Sequence, residues 1–220
     1  VPGSALSFNK VVSSNSYGLA AMLESFGAIP TVYPIAKDKL KDIQDKLIDA
    51  SKNDLILTIG GVSVGNYDYV KDAALALGLK IKFHKVAMRP GKPLLAGVLH
   101  ERPFIGLPGN PVSALICCKV MIQPLLNKML GICEKNSNIK LRAKLTKPLP
   151  QNGVREHYMR AILKQGKDEL SICPLERQDS SLLSELSKAN ALIVRYPWDP
   201  ASKEDEYVDV LPFTQNIIDR

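Results

Sequence analysis

The segment "NDLILTIGGVSVGNYD", residues 53–68, constrains the fold more than any other. Its first half is a continuous apolar run of strand length. Such a run suits a strand covered on both faces, because a half-exposed strand would alternate apolar and polar residues. Its second half places glycines 60, 61 and 65, a serine and an aspartate where the strand ends, which is poor core material. A strand buried on both sides needs helices above and below it. The neighbouring periodicity supplies them, predicting helices over 15–27, 38–51, 67–78 and 110–131. Strands are expected at 28–36, 80–88, 93–99 and 103–107. Strands and helices alternating at these lengths imply right-handed βαβ crossovers. The expected fold is a three-layer α/β/α sandwich with a mostly parallel sheet.

Local signals agree with this pattern. In 15–27, Leu19, Met22, Leu23 and Phe26 share a face, Asn15 or Ser16 can cap, and Gly27 closes the helix. In 38–51, Leu40, Ile43, Leu47 and Ile48 form the apolar stripe and Asp38 is the expected N-cap. Gly78 ends the third helix, and Pro111 starts the fourth at its tolerated first position. The segment 28–36 reads as a strand weakened by two prolines. After residue 137 the texture changes to short strands broken by Gly, Pro, Asp and Asn turns: "IKLRAKLTKPLP", "EHYMRAILKQ", "ELSICPL", "NALIVRYP" and "EYVDVLPF". The chain thus divides into an α/β domain, 1–137, and a small β-barrel-like domain, 138–220. Within the second domain, "SSLLSEL" (180–186) reads as one or two helical turns.

Composition narrows the partners. With 29 Lys and Arg against 22 Asp and Glu, the 220-residue chain carries a net charge of +7. That excess suits an anionic small molecule, and solubility alone also explains it. Aromatics are 6% and no arginine-rich tract occurs, which disfavours a nucleic-acid platform. No apolar run is expected to approach the roughly 18 residues that cross a membrane. Cys117, Cys118, Cys133 and Cys173 show no CxxC spacing, so structural zinc and a disulfide framework are disfavoured. Reduced, buried thiols in a cytoplasmic protein are expected. The start, "VPGSALSFNK", has neither a signal-peptide pattern nor Met, consistent with a piece of a longer chain.

Three loops carry candidate chemistry at strand ends, where open α/β sheets bind ligands. In the first, Gly60, Gly61 and Gly65 admit close backbone approach, and their amides with the Ser63 hydroxyl can hold an anion. Asp68 follows in the first turn of the next helix, where a helix-dipole role is the plainer reading. The second loop is "LPGNP". Pro108 and Pro111 stiffen it, Gly109 and Asn110 expose backbone, and Ser113 sits in the helix's first turn. The third is "HKVAMRPGKP", with cations Lys85, Arg89 and Lys92. Strand alternation would place Lys85, Ala87 and Arg89 on one face. Together these describe a pocket for a polyanion with one carboxylate nearby. That carboxylate suits metal ligation or orientation of a water for attack on phosphorus.

"GGVSVGNYD", "VAMRPGKP" and "LPGNPVSA", in this order and spacing, resemble the molybdopterin molybdenumtransferase family, which includes MoeA proteins and the E domain of gephyrin. "SSNSYGLAAML", "GVREHYMRA", "SSLLSELSKANALIVRYP" and "EDEYVDVLPF" extend the resemblance over essentially the whole chain. The resemblance implies the last step of molybdenum cofactor assembly. Adenylylated molybdopterin (molybdopterin-AMP) is cleaved at its pyrophosphate with Mg2+, and molybdate enters the dithiolene. It implies Asp68 at the metal or phosphate, with Asp38 as a second acidic position. Lys85, Arg89 and Ser113 would help bind molybdate or the pterin phosphate. Gly60, Gly61, Ser63, Gly65, Lys92 and residues 108–111 would cradle the ligand. His84, His100 and His157 are expected to be structural or exposed.

Two departures stand out. The family generally has Lys where Arg89 stands. Its "TGDEL" motif and two further N-terminal domains precede the point where this sequence begins, so the chain resembles the family's two C-terminal domains. The family's homodimer and a molybdopterin adenylyltransferase partner are expected of the full-length form. Three other readings stay open. An adenylyltransferase shares the α/β fold but usually lacks the β domain. A gephyrin-type scaffold would bind peptides and would not need Asp68. A nucleic-acid module would spread its basic residues over one face.

Overall fold

The computed structural model describes residues 14–61, 69–132, 140–167 and 169–213. These fall into two compact units. One holds residues 1–86 and 91–118, the other 87–90 and 119–220. The boundary expected from the sequence, 137/138, falls in residues 133–139, which lie outside the described ones.

In the first unit, α1 (Asn15–Ser25) and α2 (Leu40–Ala50) precede β1 (Ile56–Ile59), α3 (Tyr69–Ala76) and β2 (Lys80–His84). The chain then passes through β3 (Met88–Arg89), which belongs to the second unit, and returns as β4 (Leu95–Leu99), β5 (Arg102–Leu107) and α4 (Pro111–Cys117). The sheet order is β1-β5-β4-β2. On one face, Ile43 and Leu47 of α2 and Ala73 and Ala74 of α3 meet Ile56, Leu95, Leu99 and Phe104. The other helix pair is α1 with α4, with Leu19, Leu23, Val112 and Ile116 buried. Burying Phe104 and Leu99 completely stabilises the sheet by about 1.5–3 kcal/mol each. The apolar stripe of α2 is narrower than expected, since Leu40 and Ile48 are exposed.

The three-layer α/β plan is present, with less parallel pairing than expected. Among the described residues β1 pairs parallel with β5, while β4 runs antiparallel to both β5 and β2. For β4 and β5 the cause is the turn at His100 and Glu101, whose φ angles are 47° and 63°. Two left-handed residues make a primed hairpin turn, and a connection that short forces antiparallel strands. The expected strand at 28–36 pairs with no other strand among the described residues, and its Ile29, Val32 and Ile35 are exposed. The two prolines remove N–H donors that a ladder requires. Gly27 and Gly78 close their helices with φ of 87° and 90°, as C-cap glycines do. Asp38 does not cap α2. The N-cap is Lys39, and Asp42 of the first turn instead accepts the Lys37 N–H at 2.7 Å.

The long helix expected at 110–131 is present in three pieces. After α4 comes a π-helical segment, Cys118–Ile122, then α5 (Gln123–Met129). Pro124 lies in the first turn of α5 and brings no N–H, so the ladder must shift around it. Contrary to the expectation above, Pro111–Met129 is long and apolar enough by length and composition to cross a membrane, but 61% of its most apolar window is buried, as in a core helix.

The second unit contains β6 (Leu141–Leu145), β7 (Glu156–Gln165), β8 (Leu170–Pro174), α6 (Leu183–Leu186), β9 (Ala191–Arg195) and β10 (Tyr207–Pro212). The five segments read as strands are all strands. They close into a barrel in the cyclic order β7-β8-β6-β10-β9, and β3 joins as a parallel partner of β7. Ala143, Leu145, Ala161, Leu163, Ile172, Ala191, Ile193, Val208 and Val210 fill the interior. Asn190 mimics a strand residue at the start of β9. Its amide donates to Leu163 O at 2.8 Å and accepts from Leu163 N at 2.7 Å. Lys119 is 5% exposed and donates to Phe213 O at 3.1 Å.

Candidate anion-binding site

The parallel pair β1 and β5 ends in register at Ile59 and Leu107. Gly60 extends the ladder by one bond, its N–H donating to Leu107 O at 2.9 Å. The chain then leaves both strands in glycine turns. A Cβ on Gly60 would find Gly109 Cα at 3.8 Å, and one on Gly109 would find Gly60 Cα at 3.7 Å. Two bare backbones therefore face each other at the carboxyl end of the sheet, close enough that a Cβ on either would reach van der Waals contact with the other. Asn15, the first residue of α1, donates from Nδ2 to Gly109 O at 2.8 Å and fixes the second turn. Asn110 is the extended N-cap of α4, Pro111 lies in its first turn, and Ser113 is 5% exposed. The structure thus brings Gly60, Gly61, Pro108, Gly109 and Asn110 together. Ser63, Gly65 and Asp68 lie outside the described residues.

Gly61 has no substitute. At its φ of 67° a Cβ would stand 2.7 Å from Val70 Cβ and closer still to Cγ2. Gly61→Ala is expected to cost about 2–4 kcal/mol, from left-handed strain plus overpacking, read as a lower urea midpoint. Gly60→Ala meets nothing nearer than 3.8 Å and should cost about 1–2 kcal/mol.

The third loop divides between the two units. β2 ends at His84, and Lys85 takes φ 69° while its N–H donates to Leu94 O at 2.8 Å. Val86 N–H then donates to Lys92 O at 3.0 Å, so Lys85 and Lys92 flank one narrow turn. Both are exposed, and among the described residues neither ammonium has a partner. Arg89 does not continue this strand. The left-handed residue breaks the alternation expected for Lys85, Ala87 and Arg89, and Arg89 lies in β3 of the barrel unit.

There Arg89 is in register with His157 of β7, and His157 with Arg195 of β9. Arg155 precedes His157 by two residues. His157 is 9% exposed, and burial, then the charges of Arg89, Arg155, Arg195 and Arg160, push its pKa down to about 4. The imidazole is therefore neutral near pH 7. Arg195 is committed, to Asp199 Oδ2 at 3.3 Å and to Pro200 O. Arg160 is committed to backbone carbonyls and Gln178. Among the described residues the guanidinium groups of Arg89 and Arg155 have no partner. Two free cations beside a buried neutral imidazole form an anion-ready surface. The reading of His157 as structural fits its burial, but sequence reasoning did not gather Arg89, Arg155 and Arg195 around it. The signal was there in "VREHYMR", whose strand period places Arg155 and His157 on one face.

No group of three or more His, Cys, Asp or Glu that could hold a metal occurs among the described residues. Asp38 is exposed. Among the described residues Cys117, Cys118 and Cys173 form no disulfide. Burial, then the neighbouring Cys118, pushes the Cys117 thiol up to about 12, which removes it as a nucleophile.

Residues 1–128 match the family profile described as "Probable molybdopterin binding domain", and residues 142–213 match "MoeA C-terminal region (domain IV)". A molybdopterin molybdenumtransferase of Nostoc sp. is 36% identical over 154 residues, covering 68% of this chain and 35% of that protein. The one from Haemophilus influenzae is 31% identical over 215 residues, covering 96% and 52%. The chain spans about half the length of such relatives or less. Among solved structures, the molybdopterin biosynthesis MoeA protein from Pyrococcus horikosii superposes with a TM-score of 0.80 at 24% identity, covering 97% of this chain and 51% of that one. That likeness shows the fold, and the profiles covering both units show the family. The chain belongs to the molybdopterin molybdenumtransferase family.

Proposed function

We propose that this chain is the ligand-binding C-terminal portion of an enzyme of molybdenum cofactor biosynthesis. That enzyme inserts molybdate into adenylylated molybdopterin and hydrolyses the AMP pyrophosphate link. The observation that carries this reading is the backbone passage of Gly60 against Gly109 at the strand ends, within the part matched by the molybdopterin-binding profile. Free amides suit phosphate and molybdate oxygens, and Lys85 and Lys92 add charge without spending it on an internal carboxylate. Arg89, with Arg155, is assigned to the same anionic chemistry on the barrel unit. Ser63, Gly65 and Ser113 are assigned to the ligand cradle.

Hydrolysis of a phosphoanhydride needs neutralised charge and an oriented water more than a protein nucleophile. Asp68 is assigned to orient that water and, with Asp38, to face Mg2+. A magnesium ion held largely by phosphate oxygens and water needs only one or two protein carboxylates, so the donor set fits an ion that arrives with the pyrophosphate. When bound, it would neutralise the phosphate oxygens. A homodimer in the full-length protein and hand-over from a molybdopterin adenylyltransferase belong to the same proposal, as does a cytoplasmic location.

The test is calorimetric titration of molybdopterin-AMP and molybdate with Mg2+, on this chain and on the full-length protein, each beside Asp68→Ala. Binding by the parent that the substitution alters supports the reading. No binding even by the full-length protein overturns it.

A further inference from the structure

The chain's single tryptophan, Trp198, is 65% exposed and holds φ at 67°. Both facts run against ordinary folding. Tryptophan is usually well buried, and a bulky residue in the left-handed region is strained. Glycine would serve this turn better. The turn is nevertheless firmly built. Trp198 N–H donates to Gly153 O at 2.9 Å, and Asn152 N–H donates to Asp199 O at 2.9 Å. The Asp199 carboxylate accepts from Tyr196 N–H at 2.8 Å and from Arg195 Nε at 3.3 Å. The Asn152 amide donates to the carbonyls of Arg155, Arg195 and Tyr196 at 2.9, 3.1 and 2.7 Å. One asparagine therefore pins the tryptophan's turn and the backbone of Arg155 together.

We propose that Trp198 is a stacking platform for the planar heteroaromatic ring of an anionic ligand whose charge Arg155 takes. This deepens the proposed function and rests on it, since pterin and adenine rings both belong to that class. Tyr196 is already engaged, its ring under the Lys140 ammonium at 4.9 Å and its hydroxyl donating to Asp209 Oδ2 at 2.7 Å. Trp198 is the uncommitted aromatic of the turn. Its companions are an uncommitted guanidinium and the exposed side chain of Val154. One aromatic face beside one cation suits a single charged ring. Stacking of a base on an aromatic side chain is typically worth about 1–3 kcal/mol, or about 5- to 150-fold in affinity. The preformed turn spares the ligand the cost of ordering the ring.

As the sole tryptophan, Trp198 reports on itself. Pterin-6-carboxylate should quench its emission saturably, while orthophosphate should bind without quenching. In calorimetry, Trp198→Ala should weaken pterin-6-carboxylate at least fivefold and leave orthophosphate unchanged, and Trp198→Phe should restore most of the loss. Trp198→Gly should unfold at an equal or higher midpoint yet bind pterin-6-carboxylate as poorly as Trp198→Ala, a combination that a structural role would not produce. Absence of quenching, or equal pterin affinity in the parent and Trp198→Ala, overturns the proposal. If molybdopterin-AMP binds the parent and Trp198→Ala equally well, the stacking role fails and the proposed function stands. If molybdopterin-AMP fails to bind even the full-length protein, the proposed function fails first.

Discussion

Replacing Arg160 with methionine is expected to destabilise the barrel unit by about 3–5 kcal/mol. Arg160 is 1% exposed on β7, and no carboxylate lies within ion-pair distance among the described residues. Its guanidinium is satisfied by backbone. Nη1 donates to Asp179 O at 2.8 Å, Nη2 to Arg177 O at 2.8 Å, and Nε to Gln178 Oε1 at 3.4 Å. Gln178 returns the contact by donating to Arg160 O at 2.9 Å and accepting from Arg160 N at 2.9 Å. The segment 175–182 has little regular structure, so these bonds hold it on the barrel wall. Removing the fork takes the donor from the Asp179 and Arg177 carbonyls at once. Lysine should rescue little, because one ammonium cannot span acceptors that a planar fork reaches together. Gln178→Ala should cost less, and the double variant should fall short of the sum because both residues hold the same segment. Urea unfolding measures the first claim, and amide exchange in 175–182 locates it. A loss below 1 kcal/mol in Arg160→Met would remove the argument.

Arg160 also shows where sequence reading stops. The barrel strands were legible because alternation and turn residues are local. "NALIVRYP" and "EYVDVLPF" announce themselves within eight residues. The helices and the glycine turns at 60–61 and 109 were legible for the same reason. Partnerships set by tertiary register were not. Nothing local in "HKVAMRPGKP" says that Lys85 turns left-handed and that Met88 and Arg89 join a different sheet. Nothing in "LHERPF" marks His100 and Glu101 as a primed turn, because the usual Asn-Gly signal is missing. Asp38 looked like a cap by position, yet Asp42 reaches back to the Lys37 N–H. An arginine satisfied by carbonyls has no sequence signature, since its partners are backbone.

The stability of this chain should fall by about 2 kcal/mol more between pH 7.5 and pH 5 than that of His157→Gln. The folded imidazole has a pKa near 4 against an ordinary 6.5, with burial the first cause and the arginines around it the second. Between those values the unfolded chain binds a proton that the folded chain refuses. Stability is therefore complete above pH 6.5 and is lost as pH falls towards 4, to a limit of about 3 kcal/mol. The opposite trend would be expected of a histidine paired with a carboxylate. Urea midpoints of the two proteins at each pH isolate the effect, since the carboxylates common to both cancel. An anion seated between Arg89 and Arg155 would neutralise part of the charge that holds the imidazole unprotonated. Sulfate should accordingly shrink the pH 5 loss in the parent and leave the pH 5 loss of His157→Gln unchanged, and its affinity for the parent should rise as pH falls from 6.5 to 5. If sulfate stabilises both proteins equally, the two arginines do not share an anion with His157, and they act on it only as distant charges.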